Sequence, residues 1–183
     1  TEGGPGEMVT LRLHLKLMAD AGLIGYPNAG KSSLLTQLSD AHPKVAAYPF
    51  TTLNPIIGTM IFDDYTRMTV ADIPGIVKGA HEGVGLGHGF LRHIERASCL
   101  VYVIDMAGVD GRSPVEDFQS LETELRMHRE DLAKRARLIV ANKMDIPEAE
   151  DHYRACRKAT GLDPLRVSAK TGQGMETLKA AIG

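Results

Sequence analysis

The sequence has no run approaching the ~20 apolar residues of a membrane span, and no internal repeat or low-complexity tract. It has no excess of either charge. Lys and Arg number 21 against 23 Asp and Glu, a net charge of −2, whereas a nucleic-acid binder driven by bulk charge would be more basic. Cysteine is nearly missing: Cys99 and Cys156 cannot frame a disulfide-stapled fold, and such usage suits a reducing, cytoplasmic setting. Thr1 to Gly6 shows no basic region before an apolar core, so no secretory leader is expected there. What remains is an ordinary globular composition, 43% hydrophobic and 24% charged over 183 residues, the size of one domain.

Thr1 to Glu7 is glycine-rich and without periodicity, and apolar residues then alternate from Val9 to Leu17 as in a strand with one wet face. Ala21 to Gly25 reads as a short buried strand, Lys31 to Leu38 as a helix carrying Leu34, Leu35 and Leu38, and Ala41 to Asn54 as a loop. Strands are expected at Ile56 to Phe62 and Arg67 to Ala71, with Asp63-Asp64 as their turn. Pro74 to Gly89 is a long glycine-rich loop, of a kind that is usually functional. A helix from Phe90 to Ala97 and a buried strand from Leu100 to Ile104 follow. A long amphipathic helix then runs from Pro114 to Arg135, with Phe118, Leu121, Leu125 and Leu132 on its stripe and Ser113 as its cap. The rest reads as a strand at Leu138 to Val140, a helix at Pro147 to Thr160, a strand at Leu165 to Val167 and a helix from Gly174 to Ile182. Short β-branched strands alternating with helices predict an α/β fold, a mostly parallel sheet with helices on both faces and one antiparallel strand. Ligands of such sheets sit beyond the carboxyl ends of the strands.

Gly25-Tyr26-Pro27-Asn28-Ala29-Gly30-Lys31-Ser32 fits G-x-x-x-x-G-K-[ST] between a buried strand and a helix. The glycines let backbone N–H groups turn inward around phosphate oxygens, and the helix aims its positive end at the same place. Lys31 would reach the β- and γ-phosphates, and the Ser32 hydroxyl would bind Mg²⁺. Asp72-Ile73-Pro74-Gly75 ends a second strand, where an aspartate can hold the metal through water and the Gly75 N–H can contact the γ-phosphate. Alone, this pattern is as readily a capped turn. Asn142-Lys143-Met144-Asp145 follows a third strand. Guanine offers N1–H and its 2-amino group as donors, and the single carboxylate of Asp145 can accept both; adenine offers no such pair. Lys143 can lie over the base plane. In Ser168-Ala169-Lys170 the Ala169 N–H can donate to O6. Each motif is weak alone; all of them in this order, each at a strand end, imply a guanine-nucleotide site.

These stretches also carry a resemblance. GYPNAGKSS (Gly25 to Ser33), YPFTTL (Tyr48 to Leu53), ADIPG (Ala71 to Gly75), GAHEGVGLGHGFLRHI (Gly79 to Ile94) and VANKMD (Val140 to Asp145) resemble the GTPase domain of the Obg family over nearly the whole chain. The resemblance implies a P-loop GTPase domain at residues 17–183, with residues 1–16 as the tail of an upstream glycine-rich domain and a linker strand. It implies GTP and GDP as ligands, Mg²⁺, and hydrolysis of GTP. It also implies a switch role in assembly of the large ribosomal subunit, through its protein and rRNA, and in stress signalling through guanosine tetraphosphate. A monomer is expected. By the same resemblance Thr52 completes the Mg²⁺ shell with Ser32, Thr51 being the adjacent candidate. Phe50, Thr51, Thr52, Leu53 and Asn54 then form the first switch, and Pro74 to Gly89 the second.

Ile76 stands where a Ras-like GTPase carries the glutamine that orients water, so the chemistry must draw on another group, a cation or a partner. This keeps open a nucleotide sensor with negligible turnover. Asn28 inside the phosphate loop resembles the asparagine that helps bind K⁺ in glutamine-lacking GTPases; it equally suits a turn. His81 and Glu82 read as solvated loop residues, and His81, His88 and His93 lack zinc spacing. Cys99 and Cys156 read as packing residues. Arg92, Arg96, Lys134, Arg135 and Arg137 read as helix-end solvation ahead of RNA contact.

Overall fold

The computed structural model of the chain describes residues 9–10, 19–45, 54–73, 94–108 and 111–183. The elements in chain order are β1 (Ala19–Ile24), α1 (Lys31–Leu38), β2 (Lys44–Val45), β3 (Ile56–Ile61), β4 (Arg67–Asp72), β5 (Ala97–Asp105), α2 (Pro114–His128), α3 (Glu130–Arg135), β6 (Ala136–Asn142), α4 (Ala149–Thr160), β7 (Leu165–Arg166) and α5 (Met175–Ile182). The strands form one seven-stranded sheet in the order β2-β3-β4-β1-β5-β6-β7. Among the described residues only β3 runs against its neighbours, β2 and β4; the other pairings are parallel.

The inner strands are apolar on both faces because both are covered. One layer packs Leu34, Leu35 and Leu38 of α1 with Leu178 and Ile182 of α5 onto Leu23, Val70, Val101 and Val140. The opposite layer packs Phe118, Leu121 and Leu125 of α2, Leu132 of α3 and Tyr153 and Cys156 of α4 onto Ile24, Leu100, Tyr102 and Ile104. Each such side chain, fully buried, contributes about 1.5–3 kcal/mol. Alternate residues of one strand thus serve opposite layers.

Parallel register then sets the site. Leu23 of β1 lies beside Asp72 of β4, and Asp105 of β5 lies beside Asn142 of β6. The ends of four strands therefore open at one edge of the sheet, where the chain order reverses about β1.

Several expectations are corrected. The single helix from Pro114 to Arg135 is two, because Arg129 adopts an extended backbone between α2 and α3. Its guanidinium is held by Asp131 (2.8 and 3.0 Å) and by Glu95 (3.4 Å). The break swings Arg135 onto the carbonyls of Glu95 and Ala97, at 3.0 and 3.3 Å. The apolar stripe survives the break, since both helices lie on one layer. Ser113 stands at the cap position of α2 without a side-chain capping bond, leaving Pro114 as the start signal. The region Ala41 to Asn54 is not all loop: Lys44–Val45 pairs with β3. Ala97 begins β5 rather than ending a helix, and α4 begins at Ala149 rather than Pro147. The Asp63-Asp64 turn is present, closed by Tyr65 N–H to the Phe62 carbonyl at 2.8 Å. The strand expected from Val9 to Leu17 falls outside the described residues except for Val9 and Thr10.

Candidate nucleotide site

β1 ends at Ile24 and the chain turns through Gly25 to Gly30 into α1. Two glycines are dictated by close approach. A Cβ on Gly25 would strike the Val103 carbonyl of β5. Gly30 has φ +92°, and a Cβ there would strike Nδ2 of Asn142. Asn28 also has positive φ, 63°, which asparagine tolerates better than most residues. Lys31 folds back over the loop, its Nζ donating to the carbonyls of Gly25 and Tyr26 at 3.0 Å each. It is buried, and burial pushes its ammonium pKa down against the opposing pull of Asp72.

The Ser32 hydroxyl donates to Oδ2 of Asp72, joining the start of α1 to the end of β4. Burial raises the Asp72 carboxyl above the usual carboxylate range, opposed by the Ser32 hydrogen bond and then by Lys31. Its Oδ1 is buried and, among the described residues, has no hydrogen-bond partner. An orphaned carboxylate oxygen beside a hydroxyl is a set of hard oxygen donors, the kind Mg²⁺ takes directly or through its waters. Ser32 and Asp72 therefore fit the metal. Ile73 is buried, its N–H donating to the Leu23 carbonyl at 3.2 Å. Asn54 is exposed at the start of the chain leading into β3. Phe50, Thr51, Thr52, Leu53, Pro74 and Gly75 lie outside the described residues.

The loops expected to read the base assemble around Asn142. Its Nδ2 donates to the Ala29 carbonyl at 2.8 Å, and its Oδ1 accepts the Ala169 N–H at 3.1 Å. That N–H, expected to face guanine O6, is thus already engaged by a side chain. The Met144 N–H donates to the Val167 carbonyl at 3.1 Å, locking the two loops side by side. Asp145 accepts the Ser168 hydroxyl at 2.7 Å, and this bond chiefly holds its carboxyl below the usual range. A carboxylate has about four acceptor sites, so two donors of a base edge can still be taken. Lys170 is largely exposed, 3.9 Å from Asp145 Oδ2. Pro27 is exposed at the tip of the phosphate loop.

Two partners were not singled out in the sequence. Asp105 ends β5 and pairs with Lys143 at 2.7 Å while its other oxygen accepts the Ala107 N–H at 2.9 Å. Lys143 has φ 67°, so the pair holds an unusual backbone turn as well as a side chain. The only signal for Asp105 was its place, the last residue of a buried strand. Arg112 lies over the Tyr26 ring of the phosphate loop. Of the basic residues read as helix-end solvation, Lys134 pairs with Glu130 at 3.2 Å and Arg135 with Asp131 at 2.9 Å, while Arg92 lies outside the described residues. Cys156 is buried, and burial pushes its thiol pKa up; Cys99 is partly buried.

A phosphate loop at the central strand, a serine–aspartate pair beside it and an asparagine tying it to two further loops define a P-loop GTPase domain. Residues 20–143 match the model of the family described as 50S ribosome-binding GTPase. The chain is 53% identical over 178 residues to GTPase Obg of Akkermansia muciniphila, covering 97% of this chain and 51% of that protein. It is 52% identical over 176 residues to GTPase Obg of Syntrophomonas wolfei, covering 96% and 42%. The chain thus spans about half the length of these curated relatives, or less. Among solved structures, the G domain of T. maritima FeoB superposes with a TM-score of 0.62 at 24% identity, covering 88% of this chain and 94% of that one, a likeness of fold. This chain belongs to the 50S ribosome-binding GTPase family and, within it, to the Obg GTPases.

Proposed function

We propose that this domain is a guanine-nucleotide switch that binds GDP and GTP with Mg²⁺ and hydrolyses GTP to GDP and phosphate. The observation that carries this reading is the joining of a phosphate loop to a guanine-type base loop by one side chain, Asn142. Lys31 and the turned-in loop amides would hold the phosphates. Ser32 and Asp72 would hold Mg²⁺, with Thr52 completing the shell only when a γ-phosphate is present and the Gly75 N–H meeting that phosphate. Bound Mg²⁺ supplies neutralisation of the phosphate charge. Asp145 would select guanine, with Lys143 along the base and the Ala169 N–H shared between Asn142 and O6. The response of residues 50–54 and 74–89 to the γ-phosphate would make the switch.

In the reaction, water attacks the γ-phosphorus, the bond to the β-phosphate oxygen breaks with its electron pair going to GDP, and the water protons leave with phosphate and solvent. With isoleucine at position 76 this step lacks an orienting glutamine, so intrinsic turnover should be slow, on the order of 10⁻⁴ s⁻¹. Single-turnover phosphate release, with ATP as control, tests the reading. Release from GTP alone supports a GTPase; tight GTP binding without release favours a nucleotide sensor.

Within a longer protein, residues 17–183 would be the switch and residues 1–16 the tail of a glycine-rich domain. The whole would act in the cytoplasm as a monomer, in large-subunit assembly and in stress responses through guanosine tetraphosphate. The family description supports the ribosomal part. Among the described residues no helix is long and apolar enough to cross a membrane. The net charge of −2 gives the domain no general attraction to RNA, so it should bind large subunits weakly, with much of the affinity supplied by the adjoining domain. Co-sedimentation with and without that domain tests this; equal binding would refute it.

A further inference from the structure

Tyr26, the second residue of the phosphate loop, is buried, and its side chain is gripped from outside the loop. The Arg112 guanidinium carbon lies 3.7 Å from the ring centroid. The guanidinium is itself held by both oxygens of Asp117, Nε to Oδ1 at 3.0 Å and Nη2 to Oδ2 at 2.9 Å. At the far end of the ring the Tyr26 hydroxyl meets the Ser120 hydroxyl at 2.7 Å. Asp117 and Ser120 both belong to α2, so a helix of the opposite layer fixes a ring of the loop at its face and at its tip. The backbone of the same residue does the loop's internal work. The Tyr26 carbonyl accepts Nζ of Lys31 at 3.0 Å and the Ala29 N–H at 3.3 Å.

From this chain of contacts we propose that Arg112 is a positioning residue for the phosphate loop, acting through the Tyr26 ring to hold the Tyr26 carbonyl under Lys31. A loop that must be ordered when phosphates arrive loses that ordering cost from its affinity, and a loop already ordered does not. The planar guanidinium, oriented by a bidentate carboxylate, suits a ring face better than a lysine ammonium would. The contact serves ground state and transition state alike, so it bears on nucleotide affinity and not on the chemical step. The inference rests on the nucleotide reading above.

The test uses the chain with Arg112→Gln, Arg112→Lys, Tyr26→Phe and Tyr26→Leu, and the Arg112→Gln/Tyr26→Leu and Arg112→Gln/Tyr26→Phe double variants. The probe is methylanthraniloyl-GDP. Arg112→Gln should speed its dissociation about 3- to 10-fold, the range of a partly exposed cation–ring contact, and raise KM for GTP with kcat unchanged. Arg112→Lys should recover part of the loss. In the Tyr26→Leu background Arg112→Gln should add nothing, whereas in Tyr26→Phe, which keeps the ring face, it should still act. Amide exchange over residues 26–30 without nucleotide should quicken in Arg112→Gln, a readout independent of any ligand. Unchanged exchange together with unchanged dissociation, or an Arg112→Gln effect of equal size in the Tyr26→Leu background, would overturn the proposal. Failure of the unmodified chain to bind the probe would instead sink the nucleotide reading, while faster exchange would still support the loop contact.

Discussion

The Asn142 side chain reaches across 113 residues of sequence to donate to the Ala29 carbonyl of the phosphate loop at 2.8 Å. With the Ala169 N–H on its other atom, one amide group spans three loops. Asn142→Ala leaves two buried backbone groups unpaired, a cost on the order of 3 kcal/mol. GDP and GTP affinity should fall together, because both nucleotides need the two halves aligned. Asn142→Asp keeps the acceptor for Ala169 but sets a buried carboxylate oxygen against the Ala29 carbonyl, so it should cost at least as much. Urea midpoints of the two variants check this; a loss under about 1 kcal/mol in Asn142→Ala would mean that water replaces both partners.

Asp105 stands to Lys143 as Asn142 stands to Ala29, a residue at the end of one strand that fixes the loop after another. The pair is largely shielded, with side chains 10% and 22% exposed. Asp105→Ala should cost about 1–3 kcal/mol of stability and weaken guanosine nucleotides, since Lys143 then loses its orientation along the base. Asp105→Asn, which still accepts from the ammonium, should retain more affinity. Equal nucleotide affinity in Asp105→Ala and the unmodified chain would refute a positioning role.

The base-reading role proposed for Asp145 predicts a change of specificity as well as a loss. Asp145→Asn should weaken GTP by on the order of 10²-fold, because two charge-assisted hydrogen bonds are lost. It should gain affinity for xanthosine triphosphate, whose 2-oxo group accepts where guanine donates. Unchanged preference for GTP over xanthosine triphosphate would remove Asp145 from the base site.

These residues also show where sequence reasoning reaches and stops. The phosphate loop, Asp72 and Asn142 to Asp145 are legible because each lies at a strand end in a pattern whose chemistry is local. The layers are legible because Phe118, Leu121, Leu125 and Leu132 keep helical spacing even across the break at Arg129. That break is not legible: Arg129 has no helix-breaking character, and of the ion pairs it makes there one is local, with Asp131, and one is tertiary, with Glu95. Asp105 and Arg112 are hidden for the same reason. Their meaning lies in a register between β5 and β6 and in a stack between a loop and the segment entering a helix, neither of which has a sequence period.

Acid should weaken the join between α1 and the antiparallel edge of the sheet. Asp40 accepts the Ile61 N–H at 2.6 Å and the Lys179 ammonium at 3.2 Å. The Ile61 bond first, and Lys179 second, hold its carboxyl below the usual range. A carboxyl lowered in the folded state adds stability above its unfolded pKa of about 3.9 and loses it as pH falls through the lower folded value. The stability gap between the unmodified chain and Asp40→Asn should therefore be full at pH 7 and shrink below about pH 4. Denaturation midpoints at pH 7, 4 and 2.5 check it, and a gap that widens in acid would contradict the assignment.

The last prediction concerns what replaces the glutamine missing at position 76. Asn28 has φ 63°, a backbone state that a turn alone would select asparagine or glycine to fill. Its side-chain oxygen lies in the loop proposed to cradle the phosphates, where a K⁺ ion would offset charge developing between the β- and γ-phosphates, as an arginine finger does elsewhere. The two roles separate by choice of variant. Asn28→Ala removes the oxygen and also strains the turn, so any loss it shows is ambiguous. Asn28→Gly removes the oxygen and keeps the positive φ at little cost. If the side chain is a cation ligand, GTP hydrolysis is faster in KCl than in NaCl at equal ionic strength, and Asn28→Gly abolishes the difference while binding GDP normally. Identical rates in the two salts for the unmodified chain would rule the cation out. A salt difference that persists in Asn28→Gly would assign the ion to other oxygens and leave Asn28 as the residue that makes the turn.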